Sequence, residues 1–269
     1  MMSMSPGLRH NARIAAQHTL NQGQALSANP DSLHIQLREL QLDVERLRQL
    51  PTIRDRVDMK RRKLLPKWAP TVERYLSSGE QYTNQVFSYC VIWLFDIGEF
   101  DQALDWADLA IEQHQPTPDN VKRTFSAFVA DTVLAWAESE AEVGHSVEPY
   151  FSRTFANVRD NWRLHEEINA KWFKFAGLLK LRDRNGRPIP SAVEDVSVLQ
   201  AADELLAQAH AFHPPVGVKT LREKIEMRIR ALNKRLPHGG ADAAEGDADL
   251  ANHAVDAGQS ASLTTGGDL

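Results

Sequence analysis

An all-α fold is what this sequence predicts, with a coiled-coil-like helix and a basic helix leading into a helical array. Three observations point that way. Leu33, Leu37, Leu40, Val44 and Leu47 recur at spacings of 4, 3, 4 and 3, the a/d seam of a helix that pairs along one face. From residue 70 to 236, apolar residues return at helical spacing between short Gly, Pro and Ser breaks, with no stretch of strict alternation. A hydrophobic fraction of 42% with six Trp supplies a core for one or two domains in 269 residues.

Taken in order, residues 1–30 are rich in Ala, Gln, Asn and Ser and carry no acidic residue. They are expected to form a disordered arm with at most a short helix. Asp31 or Ser32 can cap the next helix, which holds the leucine seam as far as residue 50. At about 1.5 Å per residue it is roughly 28 Å long, and its seam is a candidate oligomerisation surface. Pro51 restarts the chain, and 52–65 then reads as a basic helix. Pro66 and Pro70 bracket Trp68 and are expected to stop regular structure there. This divides the chain into 1–30, 31–69 (oligomerisation and basic helices), 70–236 (helical array) and an acidic tail, 237–269.

Within the array, Val72, Tyr75 and Leu76 end at Gly79. Val86, Cys90, Trp93, Leu94 and Ile97 share a face that ends at Gly98. Phe100, Ala103, Leu104, Ala107, Ala110 and Ile111 share the next. Thr117 with Pro118 reads as an N-cap followed by Pro at N1, opening a helix through Phe125, Val129, Val133 and Trp136. A shorter helix holds Tyr150, Phe151, Phe155 and Val158, and a longer one Leu164, Ile168, Trp172, Phe175 and Leu179. Residues 182–190 form a loop turning at Asn185–Gly186. Ser191 with Glu194, and Thr220 with Glu223, have capping-box spacing and are expected to open the last two helices.

Charge is unevenly spread. The net charge of −5 is owed to 237–269, which holds Asp242, Glu245, Asp247, Asp249, Asp256 and Asp268 and no Lys or Arg. The remainder is near neutral, yet 54–67 carries seven cations, Arg54, Arg56, Lys60, Arg61, Arg62, Lys63 and Lys67, against two Asp. Phosphates respond to local charge, so these seven are the candidate DNA contacts. They would give affinity without sequence choice.

Gly98 with Phe100, Ala103, Leu104, Ala107, Ala110 and Ile111 is similar to the second half of a tetratricopeptide repeat. Gly98 allows a tight turn there and the alanines allow close helix approach. Ala202 and Ala209, followed by Pro215, are a weaker second copy. The order of Lys60–Arg61–Arg62, Leu64–Leu65–Pro66, Trp68, Pro70 and the 98–104 turn, with Val216–Gly217–Val218–Lys219 and Glu223–Lys224–Ile225 later, resembles the small terminase subunit of tailed bacteriophages. The likeness is to the type from temperate, contractile-tailed phages with cohesive-end genomes, and it spans about residues 32–236. The resemblance implies a DNA-packaging protein. It would bind the packaging site on double-stranded viral DNA, form a homo-oligomer and recruit the large subunit, which is motor and nuclease, in the cytoplasm of a bacterial host. Members of the family also carry an endonuclease label. The acidic 237–269 segment departs from the basic tail expected of such relatives.

No catalytic motif accompanies that picture. There is no GxxxxGK[ST] loop for ATP, and no cofactor is expected unless Mg²⁺ serves an endonuclease. Clusters such as Asp101, Asp105 and Asp108, or Glu138, Glu140 and Glu142, or Glu166 and Glu167, read as solvated helix faces. His165–Glu166–Glu167 lacks the second His of a zinc-protease helix. The single Cys90 excludes a disulfide within the chain and reads as a buried thiol. Trp68 is the one indole expected to be exposed. No apolar run is long enough to span a membrane, and the first residues lack the apolar core of a secretion signal. Two rival readings stand beside the packaging one: an endonuclease that cuts the cohesive-end site itself, and a repeat scaffold without DNA affinity, binding peptide beside Trp106 and Trp136.

Overall fold

The computed structural model describes residues 33–183 and 185–234. The 1–30 arm, the Asp31 and Ser32 caps and the acidic 237–269 segment lie outside the described residues. Among the described residues the fold is all-α, with ten α-helices, one π-helical turn and an isolated bridge between Arg182 and Pro188. In chain order the helices are α1 (Leu33–Gln49), α2 (Ile53–Met59), α3 (Leu65–Ser78), α4 (Gln85–Ile97), α5 (Phe100–Glu112), α6 (Phe125–Glu142), α7 (Tyr150–Asp160), α8 (Glu166–Lys180), α9 (Val196–Phe212) and α10 (Lys219–Asn233). None is long and apolar enough to cross a membrane.

The centre is α4. Ten of its residues are buried, among them Phe87, Cys90, Trp93 and Phe95. A helix apolar all round must sit inside other helices. Asn84 caps it, accepting from the Phe87 amide at 3.1 Å. Gly98, at φ 80°, closes its far end. The Glu99 amide reaches back to the Leu94 carbonyl at 3.0 Å and the Gly98 amide to Phe95 at 3.1 Å, a Schellman-type end that needs a left-handed residue. The chain therefore reverses within two residues and α5 packs on α4, with Ala103, Ala107 and Ala110 wholly buried. These are the small residues that the repeat pattern requires. The structure shows helix pairs rather than the repeat as such.

Two apolar cores result. The larger runs from Leu40 on α1 to Ala176 on α8. The smaller joins Leu181, Leu199, Ala202, Leu206, Val218 and Ile225. The α8–α9 crossing connects them, and it is the most extensive helix packing among the described residues. A buried polar network supports the larger core. The Gln115 amide donates to the Tyr75 hydroxyl (3.0 Å) and the Tyr82 carbonyl (2.7 Å), and its oxygen accepts from the Asn84 amide (2.8 Å). A fully bonded network of this kind fixes one arrangement of α3, α4 and the segment after α5.

Four expectations are corrected. Pro66 and Pro70 do not end regular structure, because 53–78 is one continuous rod of α2, a π turn at Lys60–Leu64, and α3. In the π turn the Leu65 amide bonds the Lys60 carbonyl, five residues back. The chain widens where the Pro66 ring would otherwise press on the carbonyl four residues before it. Burial of Trp68, Val72 and Tyr75 then holds the rod through Pro70.

Thr117 does not open a helix. Its hydroxyl donates to the Val121 and Arg123 carbonyls (3.1 and 2.8 Å) and closes a loop, and Thr124 caps α6 instead. Asp195, not Ser191, caps α9, accepting from the Ser197 amide at 2.7 Å, because Pro190 and Ser191 are used in a 3₁₀ turn. Thr220 lies inside α10, whose first turn follows Val218 without a side-chain cap. Val218 is instead held by burial in the smaller core.

The α8–α9 crossing depends on Gly177. A Cβ there would lie 2.9 Å from Leu206 Cγ and 3.1 Å from the Ala202 carbonyl oxygen. Leu206 is wholly buried and cannot swing aside. Gly177→Val is expected to cost about 1–3 kcal/mol by overpacking, read as a lower midpoint in urea denaturation. An unchanged midpoint would show that the crossing is looser than these distances require.

Candidate nucleic-acid interface

The seven candidate cations lie on or beside the 53–78 rod, and two carboxylates decide what each can do. α1 folds back on the rod after Pro51. At their contact sits Asp43, 4% exposed. Its carboxylate accepts from Lys67 Nζ at 2.8 Å, Trp68 Nε1 at 3.1 Å and Arg46 Nη1 at 3.1 Å. Glu39 adds a second contact to Lys67 at 3.2 Å. Burial works against the Lys67 charge, but the two carboxylates outweigh it and hold its ammonium above the ordinary lysine range. Trp68 is therefore not an exposed platform. It is 3% exposed, because its indole N–H is the donor that the buried carboxylate needs.

The second carboxylate is Asp96 in the last turn of α4. Lys60 Nζ contacts it at 2.7 Å, and a guanidinium nitrogen of Arg61 donates to the Ile97 carbonyl at 2.7 Å. The end of a helix gathers partial negative charge and unpaired carbonyls, so two cations in sequence fasten the π turn to it. Arg56 is also engaged, its Nε donating to the Leu50 carbonyl at 3.0 Å.

The remaining three, Arg54, Arg62 and Lys63, are exposed and have no ion pair among the described residues. Arg62 and Lys63 line a shallow groove with Leu50, Met59, Asp55 and Asp58. The Thr52 hydroxyl donates to the Asp55 carboxylate at 2.7 Å. Both free groove cations lie in the π turn. Of residues 60–63, the first two are engaged by the C-terminal end of α4 and the last two are left outward.

The leucine seam is divided in the same way. Leu40, Val44 and Leu47 are buried in the protein's own core, Leu37 is partly exposed, and Leu33 is 42% exposed. Among the described residues, the part of the seam open to another chain is its N-terminal end.

The acidic residues weighed as metal ligands are dispersed. Asp105 and Asp108 both bind Arg153 of α7, at 2.8 and 2.6 Å, and tie α5 to α7. Glu140 contacts His145 Nδ1 at 2.7 Å. Glu138 lies in a cleft with Glu167, Lys171 and Lys174, and burial is the main cause that raises its carboxyl. Among the described residues no three His, Cys, Asp or Glu side chains are grouped to hold a metal ion. Cys90 is enclosed by α4's neighbours and burial pushes its thiol up, which removes thiolate chemistry. Trp106 is buried against Phe87, and Trp136 packs on Phe100 and Tyr150.

Sequence reasoning missed Asp43, Asp96 and Arg153. Asp43 had a signal: it falls three residues after Leu40 and next to Val44, on the apolar face of α1, where an unpaired acid is costly. Asp96 and Arg153 had none, since their partners are 36 and about 45 residues away in the chain.

Three comparisons with known proteins bear on this arrangement. A family model described as the phage small terminase subunit matches residues 37–167, which include the hairpin, the rod and the larger core as far as the start of α8. The chain is 43% identical over 195 residues to the probable terminase, endonuclease subunit of Haemophilus phage HP1, covering 72% of this chain and 69% of that protein. It is 26% identical over 226 residues to the terminase, endonuclease subunit of Escherichia phage P2, covering 84% and 86%. No solved structure matches.

The Asp43 lock yields a direct expectation. Asp43→Ala leaves the buried Trp68 N–H without an acceptor and should destabilise the fold by about 1–3 kcal/mol. The Lys67 share is small because that ammonium is partly solvated. Asp43→Asn keeps an acceptor oxygen and should lose less. Equal urea midpoints for all three proteins would remove the lock from the account.

Proposed function

Because this chain belongs to the phage small terminase subunit family, we propose that it is the DNA-recognition component of viral packaging and that the outer face of the π turn touches the phosphates. The observation that carries this reading is the division of the basic segment. Lys60, Arg61, Arg56 and Lys67 build the rod's attachment, while Arg54, Arg62 and Lys63 stay exposed, with no ion pair among the described residues. A rigid rod that presents free cations holds them at fixed spacing before DNA arrives, which lowers the ordering cost of binding. Phosphate contacts of this sort position the protein and supply affinity. Choice of the packaging site then comes from several subunits reading the bend or groove of one duplex.

Self-association is assigned to the exposed N-terminal end of α1, with Leu33 and Leu37 continuing the seam beyond the residues buried at home. Delivery to the large motor subunit follows from the family role. The names of the two phage relatives assign an endonuclease role to those proteins. In this chain Asp105 and Asp108 of α5 are engaged by Arg153, which supports recognition rather than cutting.

Two sets of substitutions separate the roles of the cations. In the triple variant Arg54→Ala, Arg62→Ala, Lys63→Ala, binding to cohesive-end duplex DNA should weaken. The slope of log affinity against log salt should become shallower by about 2–3, close to 0.9 for each phosphate left without its cation, with the melting temperature unchanged. Lys60→Ala and Arg61→Ala should instead lower the melting temperature. A triple variant with parental affinity and slope would sink the assignment. Cleavage of the same DNA by this chain with Mg²⁺ and no large subunit would transfer the cutting step to it.

A further inference from the structure

The exposed cations of the π turn have a second candidate ligand within the same polypeptide. We propose that the acidic segment 237–269 occupies the Arg54, Arg62 and Lys63 surface when DNA is absent, so that DNA binds by displacing it. The inference rests on the phosphate-contact reading of that surface. It adds an occupant and a threshold.

Charge complementarity is the first argument. The segment carries six carboxylates, at 242, 245, 247, 249, 256 and 268, with no Lys, Arg or aromatic residue. The rest of the chain is near neutral, and its densest run of positive charge is the 54–67 block, seven cations against two acids in fourteen residues, ahead of 219–235, which spreads the same excess over seventeen. Within that block the fold has already matched four cations to carboxylates or carbonyls of its own. The three left over are those that a spaced row of carboxylates can reach without disturbing the core.

Reach is the second argument. The segment follows closely on α10, which ends at Asn233. Its thirty-three residues, extended at about 3.3 Å each, span roughly 110 Å, whereas a compact body of about 200 residues is roughly 40–45 Å across. Every point of the surface is within range of the tether.

Competition sets the consequence. A tethered segment is present at an effective concentration on the order of millimolar. Single exposed carboxylate–guanidinium contacts are weak and salt-sensitive, and Asp55 and Asp58 beside the groove weaken them further. The segment therefore covers the surface without sealing it. It lowers the apparent affinity for every duplex by one factor. Random DNA, bound by phosphate contacts alone, falls below occupancy first, while a site with additional contacts remains bound.

The test uses the full chain and a variant in which the six acids are replaced, Asp→Asn and Glu→Gln, at these positions. Binding of a fluorescein-labelled mixed-sequence duplex of about 30 base pairs is followed by anisotropy at about 50 mM and about 300 mM salt. The neutralised variant should bind about fivefold more tightly at low salt, a factor set by the ratio of tether concentration to the segment's own dissociation constant, and the gap should close at high salt. In a second arm a labelled peptide of residues 237–269 is added to the neutralised variant, with and without Arg54→Ala, Arg62→Ala and Lys63→Ala. It should bind only when the three cations are present. Equal duplex affinity for parent and neutralised variant at both salts overturns the inference and leaves the phosphate-contact reading standing. If neither protein binds duplex, that reading fails, and the peptide arm alone decides the occupant. Peptide binding that is absent, or indifferent to the three cations, overturns the inference.

Discussion

A carboxylate removed from water and surrounded by three donors holds α1 against the 53–78 rod. Asp43 meets Lys67, Trp68 and Arg46 at 2.8–3.1 Å. A buried charge is tolerated only when it is paired and hydrogen-bonded, so the geometry of α1 against the rod has little freedom. If α1 turned on its axis, the carboxylate would lose its partners and the indole N–H its acceptor. The same contact explains why Lys67 is not available as a free cation and why Trp68 is inside. Lys67, a candidate DNA contact in the sequence, and Trp68, expected there to be exposed, are joined to a single internal acid.

From that anchor the rod runs as one piece, with the π turn as its functional irregularity. An uninterrupted α-helix would spread residues 60–63 around most of its circumference, and the Pro66 ring would press on the carbonyl of Arg62. The wider turn relieves the ring, and the contacts with α4 divide the side chains into two sets. Lys60 and Arg61 are drawn to the C-terminal end of α4, where Asp96 and the Ile97 carbonyl await cations. Arg62 and Lys63 are left outside. Charge in this segment is thus divided between cations that hold the fold together and cations left exposed, and the division is made by what packs against each one rather than by residue type. The consequence is a row of exposed cations on a segment fastened to the buried central helix, α4.

Much of the architecture is legible from residue spacing. Periodicity placed helices α1, α4, α5, α7 and α8 within a few residues, since each has an apolar face that a core must cover. Gly79 and Gly98 ended α3 and α4 where expected, because a left-handed residue closes a helix regardless of its neighbours. Caps were less legible. Thr117, Ser191 and Thr220 each have the composition of a helix start. A hydroxyl will bond whatever carbonyl or amide the tertiary fold brings near it, and for Thr117 those were the carbonyls of its own loop.

By itself the sequence determined that the chain is helical, that a leucine seam and a basic block come before the main core, that the smallest residues mark helix approaches, and which viral family it resembles. The first three follow from periods and local conformational preferences that act over a few residues, and the resemblance rests on the order of motifs along the chain. Only the tertiary structure decided which cations are free, which leucines remain exposed, and that the two prolines lie inside a helix. The first of those outcomes depends on Asp43, Asp96 and Ile97, which meet their partners across 24 to 36 residues of chain. A charge's availability is a property of what folds against it, and spacing along the chain carries no record of that.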